Sequence, residues 1–360
     1  MRITNITQVL TLTLTLLSVL FGCSSPNTPA SADKAAPTPP PAPASTVVRL
    51  GFFPNITHAP ALVGVEKGLF EKALGPGVTL ETKTFNAGPA AVEALLSGAL
   101  DATYIGPNPA INAYARSNGE AVRVLAGACS GGAALVVRPD INTPADLKGK
   151  TVASPQLGGT QDVALRTWLK AQGFTVQLQG GDVSVLPQEN AQTLDAFRAG
   201  TIAGAWLPEP WASRLVSEGG GKVLVDEKSL WPNGKFLTTH LIARTEWLTQ
   251  HPDLARKLVE GHLDALDFIA QSPVDAQAAA NARIEKITGK AIGAALLAKA
   301  WAGLEFTADP LAATLAQSAE NAKAVDLLKP IEAPLAKLYA LDALNAALTA
   351  RGRPAVQGLP

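Results

Sequence analysis

An α/β fold of two lobes in series, closed by a helical tail, is the class this chain predicts. Three observations carry it. Short apolar, β-branched runs alternate with segments of helical spacing from Val47 to Leu207. The alternation restarts once, at Thr151. Past Thr245 the sequence becomes alanine- and leucine-rich with helical periodicity.

Taken in order, Val47–Phe53 is apolar and β-branched and ends at Pro54, so it reads as a strand. Ala59–Lys67 has helical spacing, with Ala61 and Val65 on one face, and stops around Gly68. Val78–Thr84 is a strand, Ala90–Leu96 a helix with Gly98 as its stop signal, and Ala102–Ile105 a strand. Such alternation implies parallel pairing with right-handed crossovers. The theme returns with Thr151–Ala153 as strand and Thr160–Gln172 as helix, with Ala164, Leu165, Trp168 and Leu169 along one side. Asp182–Leu186, Ala191–Ala199 and Ile202–Leu207 continue it as strand, helix and strand. His251-Pro252-Asp253 begins a long helix through Phe268. Ser272-Pro273-Val274-Asp275 reads as a turn and a helix start, where serine caps and proline fits the first turn. The chain is expected to cross between lobes within Tyr104–Asp140 and Lys235–Thr245, and the tail to return to the first lobe. Residues 47–140 and 236–360 then form lobe I with the tail, and 141–235 lobe II.

The N-terminus reads separately. Arg2 is a short basic start and Val9 to Phe21 an uncharged apolar run. Spanning a bilayer takes roughly 20 apolar residues, so residues 1–22 read as a signal peptide. Leu20-Phe21-Gly22-Cys23 resembles the lipobox of a bacterial lipoprotein. The resemblance implies cleavage before Cys23, its acylation, and an extracytoplasmic, membrane-anchored protein. One acyl chain binds with only roughly 10⁴ M⁻¹, so stable anchoring takes more than one. An ordinary secretory signal is the other reading, but it leaves an unpaired thiol in an oxidising compartment. Residues 23–46 include Pro37-Thr-Pro-Pro-Pro-Ala-Pro43, a tether that cannot bury enough apolar surface to fold.

Charge is balanced, 30 basic against 30 acidic residues. That excludes the basic surplus of a nucleic-acid binder and any polybasic lipid-binding segment. With Cys23 lipidated, Cys129 is alone, so no disulfide framework and no cysteine-rich metal site are expected. Nucleophile-elbow and Walker motifs and clustered metal-ligand spacings are missing, and Gly219-Gly220-Gly221 is a turn before a strand. No metal, no cofactor and no enzymatic activity are expected.

In an open α/β sheet, ligands bind outside the carboxyl ends of the strands. Those ends here carry Asn55, Thr57 and His58; Asn86; Gly106 and Asn108; Ser130; Gly158, Gly159 and Thr160; and Trp206 and Glu209. Gly158-Gly159-Thr160 opens a helix, where unpaired N–H groups and roughly half a positive charge favour an anion. Asp162 would repel an anion if it faced the cleft, so it is expected to cap the helix or face away. Trp206 and Trp211 flank Glu209 between two prolines, as cleft surface or as core. His58 and His240 are either donors to an anion or packing residues. The asparagines are turn residues or, taken together in corresponding loops, neutral groups that orient a ligand.

Several segments resemble the sulfonate/nitrate/taurine-type substrate-binding proteins of ABC importers. These are Phe52-Phe-Pro-Asn-Ile-Thr-His-Ala-Pro-Ala61, Gly64-Val-Glu-Lys-Gly-Leu-Phe70, Ala94-Leu-Leu-Ser-Gly-Ala-Leu-Asp-Ala-Thr-Tyr-Ile-Gly106, Leu147-Lys-Gly-Lys-Thr-Val-Ala153 and Gly204-Ala-Trp-Leu-Pro-Glu-Pro-Trp211. The resemblance spans about Val47 to Leu248. It implies a periplasmic-binding-protein type II fold, closure of two lobes over a small anionic or zwitterionic solute, and delivery to a permease and its ATPase. It places ligand contacts around Asn55, Asn86, Gly106, Gly158 to Thr160 and Glu209. One departure stands out: these loops hold no arginine or lysine, which leaves room for zwitterionic or aromatic ligands. A thiamine- or flavin-precursor binder, an enzyme on the same fold, and a sensor are the alternatives.

Overall fold

The computed structural model describes residues 46–360 apart from Gln179. The expected signal, Cys23 and all but the last residue of the tether lie outside the described residues. The first part of the chain runs β1 (Thr46–Phe52), α1 (Ala59–Glu66), α2 (Leu69–Leu74), β2 (Val78–Thr84), α3 (Gly88–Leu96), β3 (Ala102–Ile105), α4 (Pro107–Arg116) and β4 (Val122–Gly131). A second set follows: β5 (Ala133–Val137), β6 (Thr151–Ser154), α5 (Thr160–Ala171), β7 (Ser184–Pro187), α6 (Asn190–Arg198), β8 (Gly204–Pro208), α7 (Trp211–Ser217) and β9 (Lys222–Asp226). The chain then returns through β10 (Leu237–Arg244) into α8 (Thr245–Gln250), α9 (Pro252–Gln271), α10 (Pro273–Thr288), α11 (Ala294–Ala302), β11 (Leu304–Phe306), α12 (Ala312–Ala324) and α13 (Asp342–Ala350).

Two mixed sheets result, a six-stranded one in the order β11-β4-β10-β3-β1-β2 and a five-stranded one in the order β7-β6-β8-β5-β9. The alternating segments pair in parallel, β1 with β2 and β3, and β6 with β7 and β8. Antiparallel β10 and β5 enter beside them because each arrives from the other sheet. Strands β3, β5 and β8 are buried along their whole length, since helices cover both faces of each sheet. In the first lobe Leu50, Phe70, Tyr104 and Leu263 fill one side and Val92, Ile111, Tyr114 and Leu315 the other. In the second, Trp168, Trp206 and Phe236 oppose Leu194, Phe197 and Leu215 across the sheet. Edge strand β2 is half-exposed and carries Glu81 and Lys83, charges that discourage edge pairing.

The chain crosses between sheets at Gly131 and Gly132, with φ of 81° and 75°. A Cβ on Gly131 would run into the Lys228 side chain and the Gly303 carbonyl, so both conformation and space call for glycine. Strand β5 therefore already belongs to the second sheet, ahead of the lobe boundary expected after Asp140. Asp182 is not a strand residue. Its carboxylate accepts from Thr175 N–H at 2.7 Å and holds a bend before β7. In the tail, α9 packs on α1 and α2 of the first part and β11 pairs with β4. The tail also reaches the second part: α12 lies on both α4 and α5, and Lys170 Nζ donates to the Ala324 carbonyl at 2.6 Å.

Candidate functional site

The carboxyl ends of the two sets of parallel strands face one small cavity of about 40 Å³. The first lobe contributes Asn55, Thr57 and His58 after β1, Asn86 to Gly88 after β2, and Gly106 and Pro109 after β3. From the second come Gln156 and Gly159 to Gln161 around the start of α5, Asn190 at the start of α6, and Pro208 at the end of β8. Thr238 of β10 joins them. A volume of this size takes a group of roughly three or four heavy atoms.

Helices α3, α4 and α5 open on the cavity with N-cap residues Ala87, Gly106 and Gly159, and none is capped by a side chain. Prolines in the first turns of α3 and α4 remove some of the orphan N–H groups there. The first turn of α5 has no proline, so its N–H groups stay available. The positive ends of these helices therefore converge where a ligand, rather than the chain itself, can complete the caps.

Asp162 does not spoil this arrangement. Its carboxylate accepts from Ser154 Oγ at 2.7 Å, Gly158 N–H at 3.0 Å and Arg166 Nε at 3.1 Å, all away from the cavity. Both members of the Asp162–Arg166 pair are buried, so the acid is neutralised inside lobe II. Among the described residues, no aspartate, glutamate, lysine, arginine or cysteine lines the cavity.

Polar atoms on its walls lack partners. Gln156 Oε1, Thr160 Oγ1 and Asn190 Oδ1 are buried without a hydrogen bond. Each such atom costs about 1–3 kcal/mol until it is satisfied. A half-turn of either amide presents NH₂ in place of the carbonyl, so these groups can donate as well as accept. Asn55 has its sense set already. Trp211 Nε1 can only donate, and it reaches Asn55 Oδ1 at 2.9 Å across the cleft, which leaves the Asn55 NH₂ to the cavity.

His58 is set in the same way. The Phe53 N–H donates to Nδ1 at 3.4 Å, so the proton sits on Nε2. The ring packs at a 30° tilt against Phe53, with centroids 4.3 Å apart. Burial pushes its pKa down to about 3, so a neutral imidazole with a free Nε2–H borders the cavity.

Of the residues singled out in the sequence, Asn55, Thr57, His58, Asn86, Gly106, Gly159 and Thr160 are brought together here. Others turn elsewhere. Asn108 Nδ2 donates to the Ser318 carbonyl at 3.0 Å and ties α4 to α12. Ser130 Oγ accepts from Phe236 N–H at 3.3 Å and pins the crossing strands. Gly158, at φ 73°, gives its N–H to Asp162. Trp206 is core, and its Nε1 donates to Glu227 Oε2 at 2.7 Å. Glu209 accepts from Ser213 N–H and Oγ, at 3.1 and 2.9 Å, and caps the start of α7. Burial nevertheless raises the pKa of Glu209 and takes that of His240, which also lies off the cavity, down to about 4. The sequence reading passed over Gln156, Gln161 and Asn190, although the strand-end rule applies to them as to their neighbours. Thr238 carried no signal, because only the return crossing brings β10 to the site.

The model of the NMT1-like family matches residues 41–284. The chain belongs to the NMT1-like family. Among relatives of this NMT1-like chain, the taurine-binding periplasmic protein of Escherichia coli is 28% identical over 206 residues, 57% of this chain and 62% of that one. Among solved structures, the alkanesulfonate-binding protein SsuA of Xanthomonas axonopodis pv. citri, bound to MOPS, superposes with a TM-score of 0.67 at 20% identity, covering 80% of this chain and 96% of that one. The nitrate-binding protein NrtA of Synechocystis does so with a TM-score of 0.67 at 17% identity, covering 86% and 90%. The fold is accordingly that of two-lobed periplasmic binding proteins, with the tail helices packed onto it.

Proposed function

We propose that this chain is the substrate-binding component of an ABC importer and captures a small anion between its lobes. The observation that carries the reading is the convergence of uncapped helix N-termini and neutral donors on a cavity lined by no carboxylate. Such a site stabilises negative charge without a fixed counter-ion, and protein dipoles do the work of hydration water. Taurine, named for a relative, and alkanesulfonates and nitrate, named for the similar structures, are the candidate solutes we propose. A permease and its ATPase are the partners this role requires. We propose binding without turnover. The cavity wall offers no acid–base pair, and the Cys129 thiol is buried in β4 with its pKa pushed far up by burial.

Thermal-shift and calorimetric titration with nitrate, methanesulfonate and taurine, each against chloride at equal ionic strength, test the reading. At one hundred times its dissociation constant a bound solute adds about 2.7 kcal/mol of stability. An unfolding curve that none of these anions moves would overturn it. The extracytoplasmic location and the lipid anchor at Cys23 belong to the same proposal and have their own test. Metabolic labelling with an alkyne fatty acid should tag the protein and be lost in Cys23→Ala. Label retained in that variant would refute the anchor.

A further inference from the structure

Helix α5 has two packing faces. Leu165, Trp168 and Leu169 turn into the apolar cluster of the second sheet and fix the helix to it. At 3.6 residues per turn, Thr160, Val163, Thr167 and Lys170 form a stripe on the nearly opposite face. Every member of that stripe meets the other lobe or the tail. Thr160 stands against Gly106, where a Cβ would collide with its Oγ1. Val163 is buried in the first lobe's cluster with Ile111 of α4 and Leu315 of α12. Thr167 Oγ1 donates to the Asn321 carbonyl at 3.4 Å, and Lys170 Nζ to the Ala324 carbonyl at 2.6 Å.

Helix α12 is the common partner. Asn108, in the first turn of α4, donates from Nδ2 to the Ser318 carbonyl at 3.0 Å in a buried bond. Ala324 is the last residue of α12, where unpaired carbonyls and the negative helix end favour a cation such as Lys170. The whole of α12 lies beyond residues 41–284, the part that the family model matches. We infer that α12 is a strap holding α5 against α4, with Thr167 and Lys170 as positioning residues for the cavity. Neither lines it. They act through the helix, which is a stiff rod with a rise of about 1.5 Å per residue, so Lys170 holds it about 15 Å from Thr160. Because the other face of α5 is packed into the second sheet, a swing of α5 is a swing of that lobe. The strap thereby sets the spacing of the two helix N-termini that meet at the cavity. The inference rests on the cavity between the lobes being the binding site, and adds what holds that cavity in shape.

Small-angle X-ray scattering without solute, and calorimetry with nitrate, methanesulfonate and taurine, test this on the folded protein. Thr167→Val combined with Lys170→Met removes both donors and keeps the bulk of the side chains. That variant should show a larger radius of gyration and bind the anions at least threefold more weakly. Thr167→Ser with Lys170→Arg keeps both donors and should return both readings to those of the unaltered protein. Val163→Phe, a larger side chain at the seam, should open the lobes further. A merely structural role would lower the denaturation midpoint and leave scattering and affinity unchanged. Unchanged scattering in both disrupting variants would overturn the inference, as would opening that the conservative pair shares. Opening with undiminished affinity would refute the positioning role. Should no anion bind the unaltered protein, the anion reading has failed, and the strap then stands or falls on the scattering.

Discussion

His58 shows how burial changes what a residue can do. In the sequence it is a histidine after a strand, equally suited to carry a charge or to pack. In the fold its pKa is held at about 3, and its one free proton is on Nε2 at the cavity. It is therefore a neutral donor. Anion affinity should stay flat from pH 8 down to about 5, whereas a charged histidine would strengthen binding as pH falls through 6.5. Titrations at several pH values separate the two, and a tenfold gain on acidification would refute the neutral form. His58→Phe keeps a ring against Phe53 and removes the donor. Losing a hydrogen bond to a charged ligand costs about 1.5–3 kcal/mol, so affinity should drop roughly ten- to a hundredfold with the fold intact. Trp206 and Glu209 make the opposite point. Their loop looks like binding surface, yet the indole is satisfied by Glu227 and the carboxylate by Ser213. Nothing within a short loop tells which of its side chains turns inward.

At the level of elements, the start of α5 does most to define the site. Its glycines and threonine were legible as an anion-friendly helix start, and so was the expectation that Asp162 turns away. What disposes of Asp162 is Arg166 one turn on, within the same helix. Removing one member of a buried pair leaves the other charge uncompensated, at a cost of about 3–5 kcal/mol. Arg166→Met should show that loss in chemical denaturation, and a change under 1 kcal/mol would mean the pair is not needed. The same helix start meets the first lobe at Gly106. A Cβ there would collide with Thr160 Oγ1 and approach the Thr238 carbonyl to 3.3 Å. Gly106→Ala should therefore weaken anion binding more than tenfold by keeping the lobes from meeting. Thr160→Ala in that background should recover part of the loss if this contact is the cause. At Gly159 an added Cβ would stand 3.0 Å from the Gln156 carbonyl, tight but with φ −72°, so a bulky side chain there should weaken binding without unfolding the protein. Unchanged affinity in calorimetry would remove this loop from the site.

For the whole molecule, buried titratable groups set the pH profile of stability. His58, His240 and His262 are held neutral in the fold, at about 3, 4 and 4, against an ordinary value of 6.5. Below pH 6.5 the unfolded chain takes up protons that the folded chain refuses, so stability falls as pH falls. Glu227 opposes this. Burial raises its pKa to about 7, so near pH 5.5 it is protonated in the fold and releases its proton on unfolding. Glu209, also raised by burial, opposes it in the same sense, but three histidines outweigh two acids, so stability should fall as pH drops from 7 to 5. Urea midpoints at pH 7 and pH 5 check the sign, and equal midpoints would contradict it. The sequence alone determined the two rounds of strand and helix, the helical tail and the loops able to meet a ligand. Apolar periodicity and helix-start chemistry are local and survive without knowledge of the fold. Only the tertiary structure decided that seven of the chosen residues share one cavity and that Thr238 arrives from a return strand. Those are contacts between residues far apart in the chain, fixed by how two sheets and a tail pack, and no local pattern encodes them.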